Sequence, residues 1–181
     1  MSLSKKEVRE ITGFTFSKIG ADPANWMKRA MAFKEAAILI AKSEKYSPPF
    51  PYYYNSGIAL ELALKSIAIA TSKVYESNHR LNDLCSLVGL KINKDQKCTL
   101  ELLSELIIWS GRYPVPKKEG QWNNYHDVVH EKHVVRESEG SVHRTLANRD
   151  RFPTVENFLT LWELCETEYK SQLQKSITKC R

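Results

Sequence analysis

No stretch of this chain approaches the roughly 18 to 20 consecutive apolar residues that a membrane-spanning helix requires. Its start, Ser4-Lys5-Lys6-Glu7, has no apolar run behind it of the kind a secretion signal carries. Those two absences predict a soluble, cytoplasmic protein with no membrane contact. Cysteine is sparse: Cys85, Cys98, Cys165 and Cys180 lie far apart and form no CxxC pair, so reduced structural thiols are expected. Glycine and proline number 7 each, too few for a collagenous or low-complexity chain. There is no internal repeat, and no apolar-polar alternation runs long enough to predict a sheet.

What is present fits one globular domain. The 181 residues are 42% hydrophobic and 27% charged, which suffices for one substantial core. A net charge of +6 permits a polyanionic partner, because clustered Lys and Arg neutralise phosphates and release counterions. The surplus is spread out. Residues 1–46 carry nine basic and five acidic side chains, and residues 112–151 carry eight and six, with four of the five histidines.

Helical periodicity organises most of the chain. Residues 1–20 show no clean period and read as a loosely attached arm. Asp22-Pro23 supplies an N-cap and a first-turn proline, and Trp26, Ala30, Phe33, Ala37 and Ile40 follow at helical spacing to about Ser43. Pro48-Pro49-Phe50-Pro51 interrupts the pattern. A second helix from Tyr53–Asn55 to about Ala70 is apolar nearly all round, the mark of a helix enclosed by others. Asn78 is the expected cap of a short third helix through Leu81, Leu84 and Leu87, ended by Gly89. Residues 91–98 read as a polar loop. Thr99 is the expected cap of a fourth helix, which runs to Gly111 and Pro114. Phe158, Trp162, Cys165, Tyr169 and Leu173 mark a fifth over 154–176. Residues 117–150 form a polar, His-rich insert, expected to be loop with a short helix. The sum is an all-α bundle of about five helices in one domain spanning 1–181.

Three segments, in order, resemble the HEPN family (higher eukaryotes and prokaryotes nucleotide-binding). Tyr53 to Lys65, with its Glu61-x-x-x-Lys65 step, is similar to that family's central helix. Asn78-His79-Arg80-Leu81 is similar to its His-x-Leu helix opening, and Gly111-Arg112-Tyr113-Pro114 to its Arg-Tyr-Pro helix end. The resemblance covers about residues 52–116. It implies an antiparallel helical bundle, a homodimer joined through helices, and action on RNA or a nucleotide. The settings it implies are toxin-antitoxin systems, phage defence or RNA processing, with an antitoxin or a nucleotidyltransferase as partner.

Catalytic members of that family carry an Arg followed after four to six residues by a His, a spacing that can put both on one helical face. The match here is Arg136 with His143, six residues between them. In a metal-independent endoribonuclease, His143 would move the proton for 2′-hydroxyl attack and Arg136 would clamp the phosphate, leaving a 2′,3′-cyclic phosphate. Gly140 lies between them and weakens a helix there, and Glu137 and Glu139 repel phosphate. The competing expectation is a non-catalytic dimeric module that binds a nucleotide, RNA or a partner protein.

Arg112, Lys65, Glu61 and His79 are candidate substrate-binding residues. For each, a structural role is the plainer alternative: Arg112 at a helix C-terminus, His79 at a helix start, and Glu61 with Lys65 as an i,i+4 pair. His126, His130 and His133 would share one side of a helix and could hold zinc. A solvated polar face explains the spacing better, so no metal or cofactor is expected. Tyr52, Tyr53 and Tyr54 suit base stacking or an apolar helix entrance.

Overall fold

The computed structural model describes residues 3–43, 50–76, 78–139 and 142–179. Ser4 opens the chain with a capping box: its hydroxyl accepts from Glu7 N, and the Glu7 carboxylate accepts from Ser4 N at 2.7 Å. The arm therefore holds two short helices, α1 (Lys5–Ile11) and α2 (Phe16–Ala21), neither of which buries a residue. Asn25 and Trp26 tie α2 to the next helix by donating to the Ile19 and Gly20 carbonyls. Asp22 then caps α3 (Pro23–Ala41), accepting from Ala24 N at 2.9 Å, with Pro23 in the first turn where no amide donor is needed.

Helix α4 (Phe50–Ala70) starts earlier than its apolar pattern suggests, since Pro51 is tolerated within a first turn. It is the centre of the bundle. Tyr52, Ala59, Leu60, Ala63, Leu64, Ile67 and Ala68 are all buried, and α3, α5 (Leu81–Val88) and α8 (Val155–Lys179) pack around it. From α8, Phe158, Leu161, Trp162, Cys165 and Tyr169 complete the core, and α5 adds Leu81, Leu84, Cys85 and Val88. Gly89, at φ +76°, ends α5 in the left-handed conformation, and Leu90 N returns to Cys85 O at 3.0 Å.

Two further helix starts differ from the sequence pattern. Residues 91–98 are not all loop: Asn93 and Gln96 form a capping box that starts α6 at Lys94, five residues before Thr99. Arg80, rather than Asn78, occupies the N-cap of α5, and Leu81 N is satisfied by the Ser104 hydroxyl at 3.0 Å. Helix α6 (Lys94–Glu105) continues directly into a π-helical turn, Leu106–Ser110. Close packing against α4 requires Gly57, since a Cβ there would lie 2.7 Å from Ile107 Cγ1.

The insert is more ordered than its composition suggests. It contains α7 (Glu119–Lys132) and an antiparallel hairpin, β1 (Val134–Glu139) with β2 (Val142–Ala147). This corrects the expectation that nothing pairs as a sheet; Val134, Val135, Val142 and Thr145 supply β-branched residues to a short ladder. The architecture remains an all-α bundle with one added hairpin. No helix among the described residues is long and apolar enough to cross a membrane. Cys85, Cys98 and Cys165 are buried free thiols, and burial raises Cys85 to about 12. Cys180 lies outside the described residues.

The hairpin base is fastened to α6 through Arg151. Arg151 Nε donates to Asp95 Oδ1 at 2.8 Å, and its carbonyl receives the Thr99 hydroxyl at 3.1 Å. His133, with 0% exposure, has Nδ1 3.1 Å from the same carbonyl, which fixes Nδ1 as the protonated nitrogen. Burial lowers the His133 pKa below its ordinary value of 6.5. Below about pH 6.5 the unfolded chain takes up a proton that the folded chain resists, so His133 contributes its full stability above that pH and loses it as pH falls toward the depressed folded value. We expect the urea midpoint to drop between pH 7 and pH 5, and the drop to be smaller in His133→Gln. An identical drop in both proteins would place the titration elsewhere.

Candidate functional site

The turn that ends the π-helical segment borders an open cleft. Gly111 N donates to Leu106 O, five residues back, at 2.9 Å, so one residue more than an α-turn is wound into the helix end. Only glycine fits at 111: a Cβ would lie 2.5 Å from Leu106 O and 3.1 Å from Tyr54 Cβ. Immediately after this turn the chain presents Arg112 and Tyr113. Arg112 Nη2 donates to Ile108 O at 2.9 Å, satisfying a carbonyl at the helix end. Its guanidinium stands 5.7 Å from the Tyr54 ring and 5.2 Å from the Tyr113 ring. Among the described residues it makes no ion pair.

Helix α7 forms the opposite wall. Trp122, Tyr125 and His126 share one of its faces at i, i+3 and i+4. Trp109 meets them, its ring 5.9 Å from Trp122 and 5.1 Å from Tyr125, and its indole N–H is held by Glu105 Oε2 at 2.9 Å. His126 lies 4.3 Å from Trp122, with the two rings tilted at 54°. Together these residues, with Phe50, line an open cleft of about 530 Å³ whose walls are mainly apolar. Among the described residues lining it, none is acidic. The Ser110 hydroxyl sits buried in the wall with no hydrogen-bond partner; it lies close enough to Tyr125 to temper the upward push of burial on that phenol, but short of bonding geometry. An apolar, aromatic cleft with one guanidinium free of any ion pair and one imidazole suits a planar, anionic ligand.

Three of the four residues named as substrate-binding lie together elsewhere. Glu61 is buried in α4, with Oε1 paired to Lys65 Nζ and Oε2 2.9 Å from His79 Nδ1. Lys65 is itself buried and stands 5.3 Å from the Tyr75 ring. Both carboxylate oxygens are thus committed inside the protein, and the ammonium is neutralised. The arrangement ties α4 to the start of α5; only the His79 ring, about half exposed, reaches solvent. Arg112 alone of the four faces the cleft.

Arg136 and His143 do not lie on a helix. They occupy facing strands of the hairpin, Arg136 opposite Thr145 and His143 opposite Ser138, two rungs apart. Arg136 is exposed, with Glu137 beside it in the ladder. His126, His130 and His133 are also separated in role: His126 lines the cleft, and His133 leaves the helix as the C-cap of α7 with its Nδ1 bonded to Arg151. Among the described residues no group of three His, Cys, Asp or Glu side chains is placed to hold a metal ion. The three tyrosines divide likewise. Tyr52 packs on Phe158 and Tyr53 on Phe152, whereas Tyr54 supports Arg112.

Sequence reasoning missed Trp109, Trp122, Tyr125 and His126 as parts of one site. The i, i+3, i+4 spacing on α7 was the available signal, and it becomes meaningful only once α7 folds back against the π-helical turn. The chain matches no protein-family model, no curated protein and no solved structure.

Proposed function

We propose that the protein is a HEPN-like domain that binds RNA in the Arg112 cleft. The observation that carries this reading is a guanidinium without an acidic partner among the described residues, held over Tyr54 and Tyr113 at the mouth of a cleft walled by Trp109, Trp122 and Tyr125. Arg112 takes a phosphate, and an exposed ring such as Tyr113 or Trp122 stacks a base. Base stacking contributes about 1–3 kcal/mol per base, and each phosphate contact adds a salt-dependent increment. A single cleft of this kind therefore gives measurable binding without a dense basic patch, consistent with the dispersed net charge of +6. The test is the anisotropy of a labelled single-stranded RNA with wild type and Arg112→Ala; affinity should fall by roughly 10-fold or more in the variant.

A second reading is a metal-independent endoribonuclease. What favours it is that His126 lines the same cleft as Arg112, a proton-transfer group beside a phosphate clamp. The hairpin pair, Arg136 and His143, is the other candidate for that chemistry. Prolonged incubation of the RNA complex with a chelator separates the two readings: intact RNA supports binding alone, and a 2′,3′-cyclic phosphate product supports catalysis. Under either reading the family resemblance extends the proposal to a cytoplasmic homodimer of a toxin-antitoxin or phage-defence system, with an antitoxin or nucleotidyltransferase as partner.

A further inference from the structure

The Arg112 cleft does not end at Tyr113. Adjoining it at Tyr113 and Trp109 lies a second cleft of about 530 Å³, walled also by Ile108, Val115, Pro116, Lys117 and Gln121. Both clefts count Trp109 and Tyr113 among their lining residues, so the two spaces adjoin at this pair, with Trp109 buried and Tyr113 its exposed member. Tyr113 is 55% exposed, and Val115 beyond it is 61% exposed, so both can be reached by a ligand from solvent.

The two clefts repeat one chemical pattern. The first offers aromatic wall and Arg112; the second offers aromatic and aliphatic wall and Lys117. Among the described residues lining either cleft, none is acidic. One apolar space with one cation is the complement of one nucleotide, a flat base joined to one phosphate charge. Each space alone falls within the size range of a small-molecule site. Pro114 and Pro116 fix backbone φ on either side of Val115, so the segment that carries the second floor is restrained before any ligand arrives.

We propose that the second cleft is a subsite for the adjacent nucleotide, so that the preferred ligand is a single strand of at least two nucleotides straddling Tyr113, and neither a free mononucleotide nor a duplex. A duplex keeps its bases stacked and paired and cannot offer one base to each side of a protruding ring. In this arrangement Arg112 and Lys117 each hold a phosphate, and Gln121 supplies the second subsite with an amide that can both donate and accept. The inference rests on the RNA-binding reading above, and its test separates the two.

The full chain is titrated with a nucleoside 5′-monophosphate, a 5′-phosphorylated dinucleotide and a short duplex, read by quenching of tryptophan fluorescence, since Trp109 and Trp122 border the clefts. The expected result is a dinucleotide affinity roughly 10-fold or more above that of the monophosphate, with the duplex weakest. In Lys117→Ala, whose side chain is exposed, the dinucleotide should lose severalfold more affinity than the monophosphate, so that advantage shrinks. Equal affinities for mono- and dinucleotide, or a Lys117→Ala loss that is the same for both, overturns the second subsite and leaves RNA binding at Arg112 standing. Binding of an acidic peptide in preference to any oligonucleotide, or no oligonucleotide binding at all, overturns both readings.

Discussion

Glu61→Ala is expected to lower the unfolding free energy by about 3 to 5 kcal/mol. The reason is what the substitution leaves behind. Glu61 satisfies Lys65 with one oxygen and His79 with the other, and the Glu61 and Lys65 side chains are only 5% and 11% exposed. Without the carboxylate, the Lys65 ammonium stays in the bundle with a Tyr75 ring as its remaining neighbour and no counter-charge. The pair itself contributes less than its removal costs, because both charges were desolvated on folding. Replacing both partners, as in Glu61→Leu with Lys65→Met, should therefore recover most of the loss, and the double-mutant cycle should show strong coupling. Urea midpoints measure both effects. A Glu61→Ala loss below about 1 kcal/mol would mean that the pair behaves as an exposed one.

Gly111→Ala is expected to damage stability and RNA binding together. Its φ of −78° is ordinary, so the cost is steric rather than conformational. The added methyl would sit 2.5 Å from Leu106 O, a backbone atom that cannot rotate away, and 3.1 Å from Tyr54 Cβ. Relief requires opening the Gly111 N to Leu106 O bond and moving the turn that carries Arg112. Overpacking of this kind costs about 1–3 kcal/mol, and the displaced guanidinium should weaken RNA binding by roughly 10-fold. Gly120→Ala is the natural control: Gly120 lies in α7 with nothing within 4 Å of an added Cβ. There alanine should stabilise the helix by about 0.5–1 kcal/mol. If Gly111→Ala behaved like Gly120→Ala, the turn would be looser than its contacts imply.

The bundle was legible in sequence wherever one helix face had to be buried. The all-round apolar run of α4, the Asp22-Pro23 start of α3 and the Phe158 to Tyr169 stripe of α8 each follow from local spacing alone. Two helix starts were missed because capping competes among neighbours: the Asn93-Gln96 box outweighs Thr99, and Asn78 accepts from Arg80 N while Ser104, 23 residues from Leu81, accepts from Leu81 N. The π-helical turn leaves no trace in periodicity, since Leu103, Leu106 and Ile107 continue the same apolar face through it. The hairpin was hidden by polar residues between its valines, and its anchoring depends on Arg151 reaching Asp95, 56 positions away. Arg112 could be named from the sequence, but its setting could not. The walls opposite it come from α7, and no local pattern says that α7 returns to the end of α6.

The role of Arg112 is tested most directly by titrating a single-stranded RNA with wild type and Arg112→Ala at several salt concentrations. One lost phosphate contact should flatten the dependence of log K on log salt by about 0.7, along with a lower affinity at every salt. Parallel salt dependences with equal affinities would contradict RNA binding in this cleft.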